Sequence, residues 1–323
     1  MGAFVAEYLG QRTDVDTPVI TPAQVGSMCP FRKDIKCSKT LRPKGNPICS
    51  VRNTNGTLWI CCEHRLCDTT KHYSRTNSTL TTINNTNRNV PLSEYQIGIL
   101  HDVAKHIFNP NVTLDQIFVK REVPLRVVGD SDYSADYIMS FKDGKSPYAG
   151  PDRLVLEMQG GGETTGTEKL TAKVKAWKED ENRTNAMLRQ TSGASPLVTN
   201  AWRRQQEQFI VKGNIALQTW KGYGMAFCVG TLLYDYLDSK IHFNSLPDLR
   251  NHNWTLALIG IKEDDSQPVV PGPIPLVVDE SKLLFTNYQT FVHALINQGL
   301  PTPEAFTGNF VDLNNTPCII PQV

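Results

Sequence analysis

Hydrophobic residues recur at helical and strand spacings along most of the chain after residue 90. Apolar positions three or four residues apart predict a helix over 95–108, and Ser93 with Gln96 forms a capping box before it. Short apolar or alternating runs predict strands at 124–128, 136–141, 153–159, 222–230 and 254–262. Further helices are predicted at 168–181, from a cap at Thr199 or Asn200 to about 220, at 231–238 and at 281–297. The order helix, three strands, helix, strand predicts an α/β fold.

The first 90 residues follow a different pattern. A short helix is predicted near 4–9, and a loop that contains Thr and Pro follows it. Residues 74–90 are polar and lack periodicity, which is typical of a linker or an exposed loop. The predicted organisation is an N-terminal arm with a cysteine-rich module at 1–75, a linker at 76–90 and a main domain at 91–323.

Charge is unevenly distributed, although the chain as a whole has a formal net charge of only +1. Residues 29–75 contain ten Lys and Arg but three Asp and Glu, so the rest of the chain is net acidic. A cationic segment of this kind suits a polyanion such as nucleic acid. It equally suits a solvated, lysine-rich loop, and charge alone does not separate these interpretations.

Cysteines concentrate in residues 29–67, which we call the cysteine segment. It contains six of the eight cysteines: Cys29, Cys37, Cys49, Cys61, Cys62 and Cys67. The acid Glu7 comes too early for a signal peptide, so a cytoplasmic protein is expected, in which clustered cysteines bind zinc or iron more often than they form disulfides. No CxxC pair is present, which excludes a standard zinc ribbon. Reduced structural cysteines are the alternative.

A secreted glycoprotein is a rival interpretation. Asn-x-Ser/Thr triplets begin at Asn55, Asn77, Asn84, Asn111, Asn182 and Asn253. The expected lack of a signal peptide and the general richness in Asn and Thr weigh against it. No apolar run of about 18 residues occurs, so no transmembrane helix and no membrane partner are expected.

Two carboxylates on neighbouring predicted strands are the strongest candidates for chemistry. Asp136 begins one strand, and Glu157 and Gln159 lie near the end of another, on the same face because strand side chains alternate. If the strands pair as a hairpin, Asp136 approaches Glu157, and together they suit Mg²⁺. An acid followed about twenty residues later by Glu-x-Lys/Gln resembles the PD-(D/E)XK nuclease pattern. An ordinary strand with exposed polar residues is the alternative.

The sequence points less clearly to the residues that would assist the two carboxylates. Gln159 occupies the position of the usual lysine in that pattern, and a glutamine has no charge and cannot act as a general base. Lys169 or Lys173, in the following helix, is therefore a candidate to approach the scissile phosphate. Glu122 is a candidate auxiliary acid for a second ion, with a surface position as the favoured interpretation.

Several short segments together resemble the NotI-type family of type II restriction endonucleases. They are FVAEYLGQR at 4–12, CPF at 29–31, CSK at 37–39, PICSV at 47–51, WICCEHR at 59–65, SADY at 134–137 and LVLEMQ at 154–159. The resemblance covers residues 4–66 and 120–175. The combination is more specific than any single segment, because the cysteine pattern precedes the same Asp and Glu-x-Gln set.

The resemblance implies a PD-(D/E)XK restriction-endonuclease-like core, in which helices flank a mixed central sheet, with a small N-terminal metal-binding module built on four cysteines. It implies that Asp136, Glu157 and Gln159 are catalytic and that Asp136 and Glu157 bind Mg²⁺. It also implies that one zinc or iron ion binds Cys29, Cys37, Cys49 and Cys62. Cys61 is a neighbouring alternative to Cys62, and Cys67 is a less favoured one. Glu63 stands where the family has a proline after the cysteine.

The implied activity is hydrolysis of double-stranded DNA by a homodimer at a GC-rich palindrome, which leaves 5′-phosphates. A cognate DNA methyltransferase is the implied second member of the restriction-modification system. Basic side chains are expected to contact phosphates, and a polar run on a predicted helix is expected to contact bases. The candidates are Lys33, Lys36, Lys39, Arg42, Arg203, Arg204 and Gln205. An exposed polar helix face is the alternative for the last three.

Two other functions remain open from the sequence. A repair nuclease of the RecB type with a cysteine-bound iron–sulfur cluster would degrade DNA without discrete fragments. A non-catalytic DNA-binding protein would use only the metal module and would not need Asp136.

Overall fold

The computed structural model describes residues 2–42, 45–67, 71–76, 79–84, 91–125, 133–142, 148, 150–219, 223–299 and 307–320. The strands are β1 (Ala3–Tyr8), β2 (Gln11–Arg12), β3 (Ile48–Asn53), β4 (Leu58–Ile60), β5 (Lys71–Thr76), β6 (Thr79–Asn84), β7 (Ile117–Leu125), β8 (Tyr133–Phe141), β9 (Arg153–Gln159), β10 (Thr164–Thr165), β11 (Ser195–Pro196), β12 (Gly224–Gly230), β13 (Leu256–Glu263), β14 (Leu276–Thr286), β15 (Gly308–Val311) and β16 (Pro317–Ile320). The helices are α1 (Glu94–Ile107), α2 (Thr167–Glu179), α3 (Asn185–Leu188), α4 (Val198–Thr219), α5 (Thr231–Ile241) and α6 (Tyr288–Ile296). Short 3-10 turns lie at Ser38–Leu41, Glu63–Arg65, Leu114–Gln116 and Phe243–Ser245.

A six-stranded mixed sheet forms the centre of the fold, in the order β14-β13-β12-β9-β8-β7. Strands β7, β8 and β9 are antiparallel neighbours, β9 pairs with β12 in parallel, and β12 pairs with β13 in parallel. Helices α2, α3 and α4 intervene between β9 and β12, because a parallel connection needs a crossover. The sheet and helices confirm the predicted mixed α/β class.

Helices cover both faces of this sheet. On one face, α1 packs its buried Val103 and Ile107 against alternate sheet residues such as Met139 and Leu156. On the other face, residues of α2, α4, α5 and α6 share a core with β12 and β13. Ser93 caps α1 by accepting a hydrogen bond from the backbone N–H of Gln96 at 3.2 Å, which is one half of the predicted capping box. The other half is wrong, because the Gln96 side chain donates to the carbonyls of Phe31 and His64. No helix within the described ranges is sufficiently long and apolar to cross a bilayer.

The N-terminal residues form a second sheet, in the order β2-β1-β3-β4, that packs onto the same core. The ring of Tyr8 meets that of Trp177 on α2 edge-on, with centroids 5.0 Å apart. Trp59 of β4 is fully buried and its indole N–H donates to the carbonyl of Glu163. Residues 1–75 and the main domain therefore share a hydrophobic core across the predicted boundary, and the division itself stays a prediction.

A buried ion pair joins the N-terminal sheet to the cysteine segment. Arg65 Nε lies 2.9 Å from Glu7 Oε2, and neither side chain is exposed. Glu7 also accepts hydrogen bonds from Ser50 Oγ and from the backbone N–H of Ile274. The Arg65 guanidinium donates to the Ile274 carbonyl and the Tyr95 hydroxyl. Burial raises the pKa of Glu7, and Arg65 opposes that rise.

Three predicted elements are wrong in kind or extent. Residues 4–9 are predicted as a helix, but 4–8 lie in β1, which is buried on both faces and therefore lacks the alternation of a half-exposed strand. The predicted helix at 281–297 is the end of β14 followed by α6, which Asn287 caps. The predicted linker at 76–90 contains β6 and the last residue of β5, and its residues 77–78 and 85–90 lie outside the described ones.

Most of the other predicted elements are confirmed with shifted ends. The predicted strand at 124–128 overlaps β7 only at its end, and 126–128 lie outside the described residues. The long helix begins at Val198, one or two residues before the predicted cap. End shifts of this size are common, because helix ends fray.

Replacing Arg65 with Met should lower the free energy of unfolding by about 3–5 kcal/mol, because Glu7 would remain buried without its charged partner. Urea unfolding followed by circular dichroism measures the change. Lys175→Met is the matched control, because its pair with Glu179 is exposed and worth at most about 1 kcal/mol. Equal losses in the two variants would contradict the expectation.

Candidate active site

Asp136 and Glu157 face each other across the β8–β9 pair; we call them the carboxylate pair. The register joins Tyr137 to Leu156, so the next step along the two strands sets Asp136 opposite Glu157. Asp136 Oδ2 accepts a hydrogen bond from the backbone N–H of Met158 at 2.9 Å. Glu157 Oε1 accepts one from the backbone N–H of Asp136 at 3.2 Å. Each carboxylate is thus fixed by the backbone of the opposite strand.

Lys212 on α4 lies beside the carboxylate pair, and it is not among the residues predicted from the sequence. Its Nζ lies 2.6 Å from Glu157 Oε2, and both side chains are almost fully buried. Lys212 shares a helical stripe with the buried Phe209 and Ala216. A lysine on an otherwise apolar stripe needs a partner, since buried charges are rarely left alone. That pattern was the available signal in the sequence.

The electrostatics of the pair favour a bound proton or cation. Burial raises the pKa of Glu157 to about 8, the charge of Asp136 adds to the rise, and Lys212 only partly opposes it. Burial also raises the pKa of Asp136. Two ionised carboxylates and one ammonium carry a net negative charge in a site where Glu157 and Lys212 are buried and Asp136 is half-buried. A divalent cation is a species that would allow both carboxylates to ionise.

Gln159 is held by two hydrogen bonds. Its Nε2 donates to the carbonyl of Gly161 at 3.1 Å, and its Oε1 accepts from Gln205 Nε2 at 2.7 Å. Gln205, a candidate base reader, therefore contacts a candidate catalytic residue. Because the Gly161 carbonyl can only accept, the Gln159 amide has one favoured orientation.

The structure gathers four of the six cysteines of the cysteine segment. Cys29, Cys37, Cys49 and Cys62 form one buried cluster with Phe31. Backbone hydrogen bonds position these cysteines. The N–H groups of Cys29 and Cys37 donate to the carbonyls of Ile35 and Ser27 within one loop, and the Cys62 N–H donates to the Cys49 carbonyl at 3.0 Å. Burial raises the pKa of the Cys29 thiol to about 12 and also raises the pKa of Cys49 and of Cys62.

The two alternative ligands lie elsewhere. Cys61 packs at the edge of the large core, and its thiol contacts the Trp59 carbonyl at 3.7 Å. Cys67 packs on the α1 side of the sheet, and the charges of Asp136 and Glu157, after burial, raise the pKa of its thiol. Among these candidates the cluster therefore contains Cys62, while Cys67 belongs to the surroundings of the carboxylate pair.

The other proposed accessory groups are in different positions. Lys169 is exposed on α2 and its ammonium lies against Gly193, and Lys173 reaches Gln190 Oε1 at 3.5 Å. No described contact joins either lysine to the carboxylate pair. Glu122 of β7 is half-buried with a left-handed φ of 42°, and its charge contributes to the raised pKa of Asp136.

The candidate DNA-contacting residues divide into exposed and inward-facing groups. Lys33, Lys36, Arg42 and Arg203 are exposed. Arg204 is exposed and pairs with Glu163 at 2.7 Å. Lys39 instead turns inward, where its Nζ donates to the Ile48 carbonyl at 2.7 Å and its charge lies near Cys49 and Cys62.

A cleft of about 1110 Å³ separates the cysteine segment from α4. Lys39, Arg42 and Cys62 line one side of it, and Arg204 and Gln205 line the other. Gln159 and the three glycines that follow it form part of its floor. The cleft is therefore lined both by the end of β9, which carries Glu157 two residues earlier, and by most of the candidate DNA-contacting residues.

Among the described residues, no three or more His, Cys, Asp or Glu side chains already stand in an arrangement that would hold a metal ion. The cysteine cluster still offers the donors that zinc and iron prefer, namely four neighbouring thiols. The carboxylate pair offers the oxygen donors that magnesium prefers. Both groups therefore suit their metals in donor chemistry.

No protein-family model matches this chain, and comparison with curated proteins finds no match either.

In metal-free buffer, thermal stability should decline as the pH rises from about 5 to about 8, because folding raises the pKa of Glu157 and the folded chain then binds the extra proton. Glu157→Gln removes this titration, so its Tm relative to the unmodified chain should increase across that range. Differential scanning fluorimetry with a chelator measures both curves. The exposed Glu179→Gln should run parallel to the unmodified chain. A Glu157→Gln difference that does not vary with pH would contradict the expectation.

Proposed function

We propose that this chain is a Mg²⁺-dependent, site-specific endonuclease of the type II restriction class with a PD-(D/E)XK core. The observation that carries the proposal is the carboxylate pair on neighbouring strands, in which Asp136 is half-buried and Glu157 is buried beside Lys212, two residues before Gln159 in a cleft with basic side chains on both sides. The chain order of α1, the strands β7, β8 and β9, the helices α2, α3 and α4, and β12 includes the helix, three strands, helix and strand that the sequence predicts.

The carboxylate pair is proposed to bind Mg²⁺, which would polarise the scissile phosphate and lower the pKa of the attacking water. Lys212 stabilises the ionised form of Glu157 and offsets part of the negative charge that would otherwise repel DNA. Gln159 retains a lone pair on Oε1, which can accept a hydrogen bond from the water and orient it. Lys212, and not Lys169, is therefore the lysine beside the carboxylate pair in this proposal.

The cysteine cluster is proposed to hold one zinc or iron ion through Cys29, Cys37, Cys49 and Cys62. Such an ion would keep the thiols ionised and fix the loop between Cys29 and Cys37. That loop carries Lys33 and Lys36, both exposed, which would then contact phosphates in a defined place. The metal would act on DNA binding and leave hydrolysis to the carboxylate pair.

The remaining parts of the proposal follow from this activity. Arg42 and Arg203 are exposed near the cleft and would add phosphate or base contacts. A palindromic site, GC-rich in the related enzymes, would be cut by a homodimer, one active site for each strand. The enzyme would work in the cytoplasm beside a cognate DNA methyltransferase that protects the host DNA.

Digestion of a fully sequenced plasmid with Mg²⁺ tests the activity. The unmodified chain should give discrete fragments with 5′-phosphates, whereas Asp136→Asn should lose cleavage because it removes one carboxylate without changing the shape of the side chain. Asp265→Asn, in the exposed turn after β13, is the matched control and should cut normally.

Other outcomes of that digestion would identify other functions. A smear in place of fragments would favour a RecB-type nuclease. DNA binding in a mobility shift without cleavage, on both methylated and unmethylated DNA, would indicate a DNA-binding protein and contradict the proposed catalysis.

Elemental analysis of the purified chain tests the cysteine cluster. About one zinc or iron ion per chain is expected, and Cys49→Ser should lose it together with DNA affinity. Cys228→Ser is a control for loss of a buried thiol, since Cys228 lies in β12 away from the cluster. Equal metal content in the unmodified chain and in Cys49→Ser would contradict the assignment.

A further inference from the structure

Gln159 lies between the two parts of the molecule that border the cleft. Its Nε2 donates to the Gly161 carbonyl, and its Oε1 accepts from Gln205 on α4. The structure thus connects the amide to the N-terminal sheet through one bond and to α4 through the other.

The hydrogen-bond acceptor on Gly161 is held in place by the N-terminal sheet. Gly161 forms a bridge with Ile60, and the Gly162 N–H donates to the Ile60 carbonyl at 3.0 Å. A Cβ on Gly161 would lie 2.6 Å from the Trp59 ring, so the backbone passes directly against that indole. The carbonyl that accepts from Gln159 therefore cannot move independently of β4.

The hydrogen-bond donor, Gln205, lies on α4, which contacts both the cleft and the carboxylate pair. Gln205 is half-buried and lines the cleft, and the preceding Arg203 and Arg204 are exposed. Two turns further along the same helix, Lys212 holds Glu157. A shift of α4 on DNA would therefore reach Gln159 through Gln205 and Glu157 through Lys212.

The bond to Gly161 selects one orientation of the Gln159 amide, because a carbonyl can only accept. If the Gln159 amide flipped, this bond would be lost, and the bond to Gln205 would survive only if the Gln205 amide flipped as well. In the selected orientation Gln205 holds Oε1 from the side of α4, with one lone pair left for a water.

We propose that Gln205 is a positioning residue that acts through Gln159: it holds the Oε1 atom of the Gln159 amide in place and transmits the position of α4 on DNA to the hydrolytic step. This inference rests on the proposed nuclease function and deepens it. Gln205 holds the group that orients the water, whereas its neighbours Arg203 and Arg204 contact DNA.

The test is a double-mutant cycle in steady-state cleavage of a supercoiled plasmid of known sequence with magnesium chloride. Gln205→Met keeps the length of the side chain but removes its donor, and Gln159→Met removes the amide that it holds. We expect Gln205→Met to lower kcat by about ten- to a hundredfold with little change in KM. The double variant should be no slower than Gln159→Met alone, because the effect of Gln205 passes through Gln159.

Two controls separate this role from others. Gln206→Met, the adjacent glutamine on α4, should leave kcat and KM unchanged, and Arg203→Ala should raise KM alone. The side-chain amide signal of Gln159 in ¹H–¹⁵N spectra should shift in Gln205→Met and not in Gln206→Met. Circular dichroism of each variant checks that the fold is retained.

The outcomes distinguish the inference from the function on which it rests. Cleavage by the unmodified chain with an unaffected Gln205→Met would overturn the inference alone. So would a Gln205→Met effect confined to KM, which indicates a direct DNA contact, or effects that multiply in the double variant. Absence of cleavage by the unmodified chain would overturn the proposed function and this inference with it.

Discussion

The geometry of the cleft depends on a charge pair that is wholly removed from water. Glu7 and Arg65 meet where β1, the cysteine segment, α1 and the loop before β14 converge. The Arg65 guanidinium also lies over the rings of Phe31 and Tyr95, 4.8 and 5.1 Å from their centroids. Separating any of these elements would leave an uncompensated charge in the core, so the cysteine segment keeps one position relative to the central sheet.

A second charge group, with opposite consequences, lies on β8 and β9 just before Gln159, which lines the cleft. The Glu7–Arg65 pair is balanced, whereas the carboxylate pair has only Lys212 to neutralise it. Such an imbalance reduces the stability of the metal-free chain and favours ligands that supply positive charge. The balanced pair therefore stabilises the fold, whereas the unbalanced group is the one to which the proposed function assigns metal binding.

The sequence predicts those features that depend on local periodicity. Helix α1 buries one face, so its stripe and its Ser93 cap are visible in the residues. Strand β1 is buried on both faces and gives no such alternation, and the polar run Asp279–Lys282 conceals that β14 continues to Thr286. The meeting of Asp136 with Glu157 follows from hairpin register. Lys212 and Gln205 could not be assigned, because their contacts with Glu157 and Gln159 depend on how α4 crosses the sheet.

The shared core of the N-terminal sheet limits how such a molecule can diverge. Trp59 and Ile60 of β4 pack directly against the glycines that follow β9, and Tyr8 packs against α2. The cysteine segment therefore cannot be replaced by an unrelated domain, since its removal would expose the hydrophobic core of the protein to water. Under the proposed function, new target preferences would have to arise by point substitution at exposed positions of α4 or of the loop between Cys29 and Cys37, with the interior left intact.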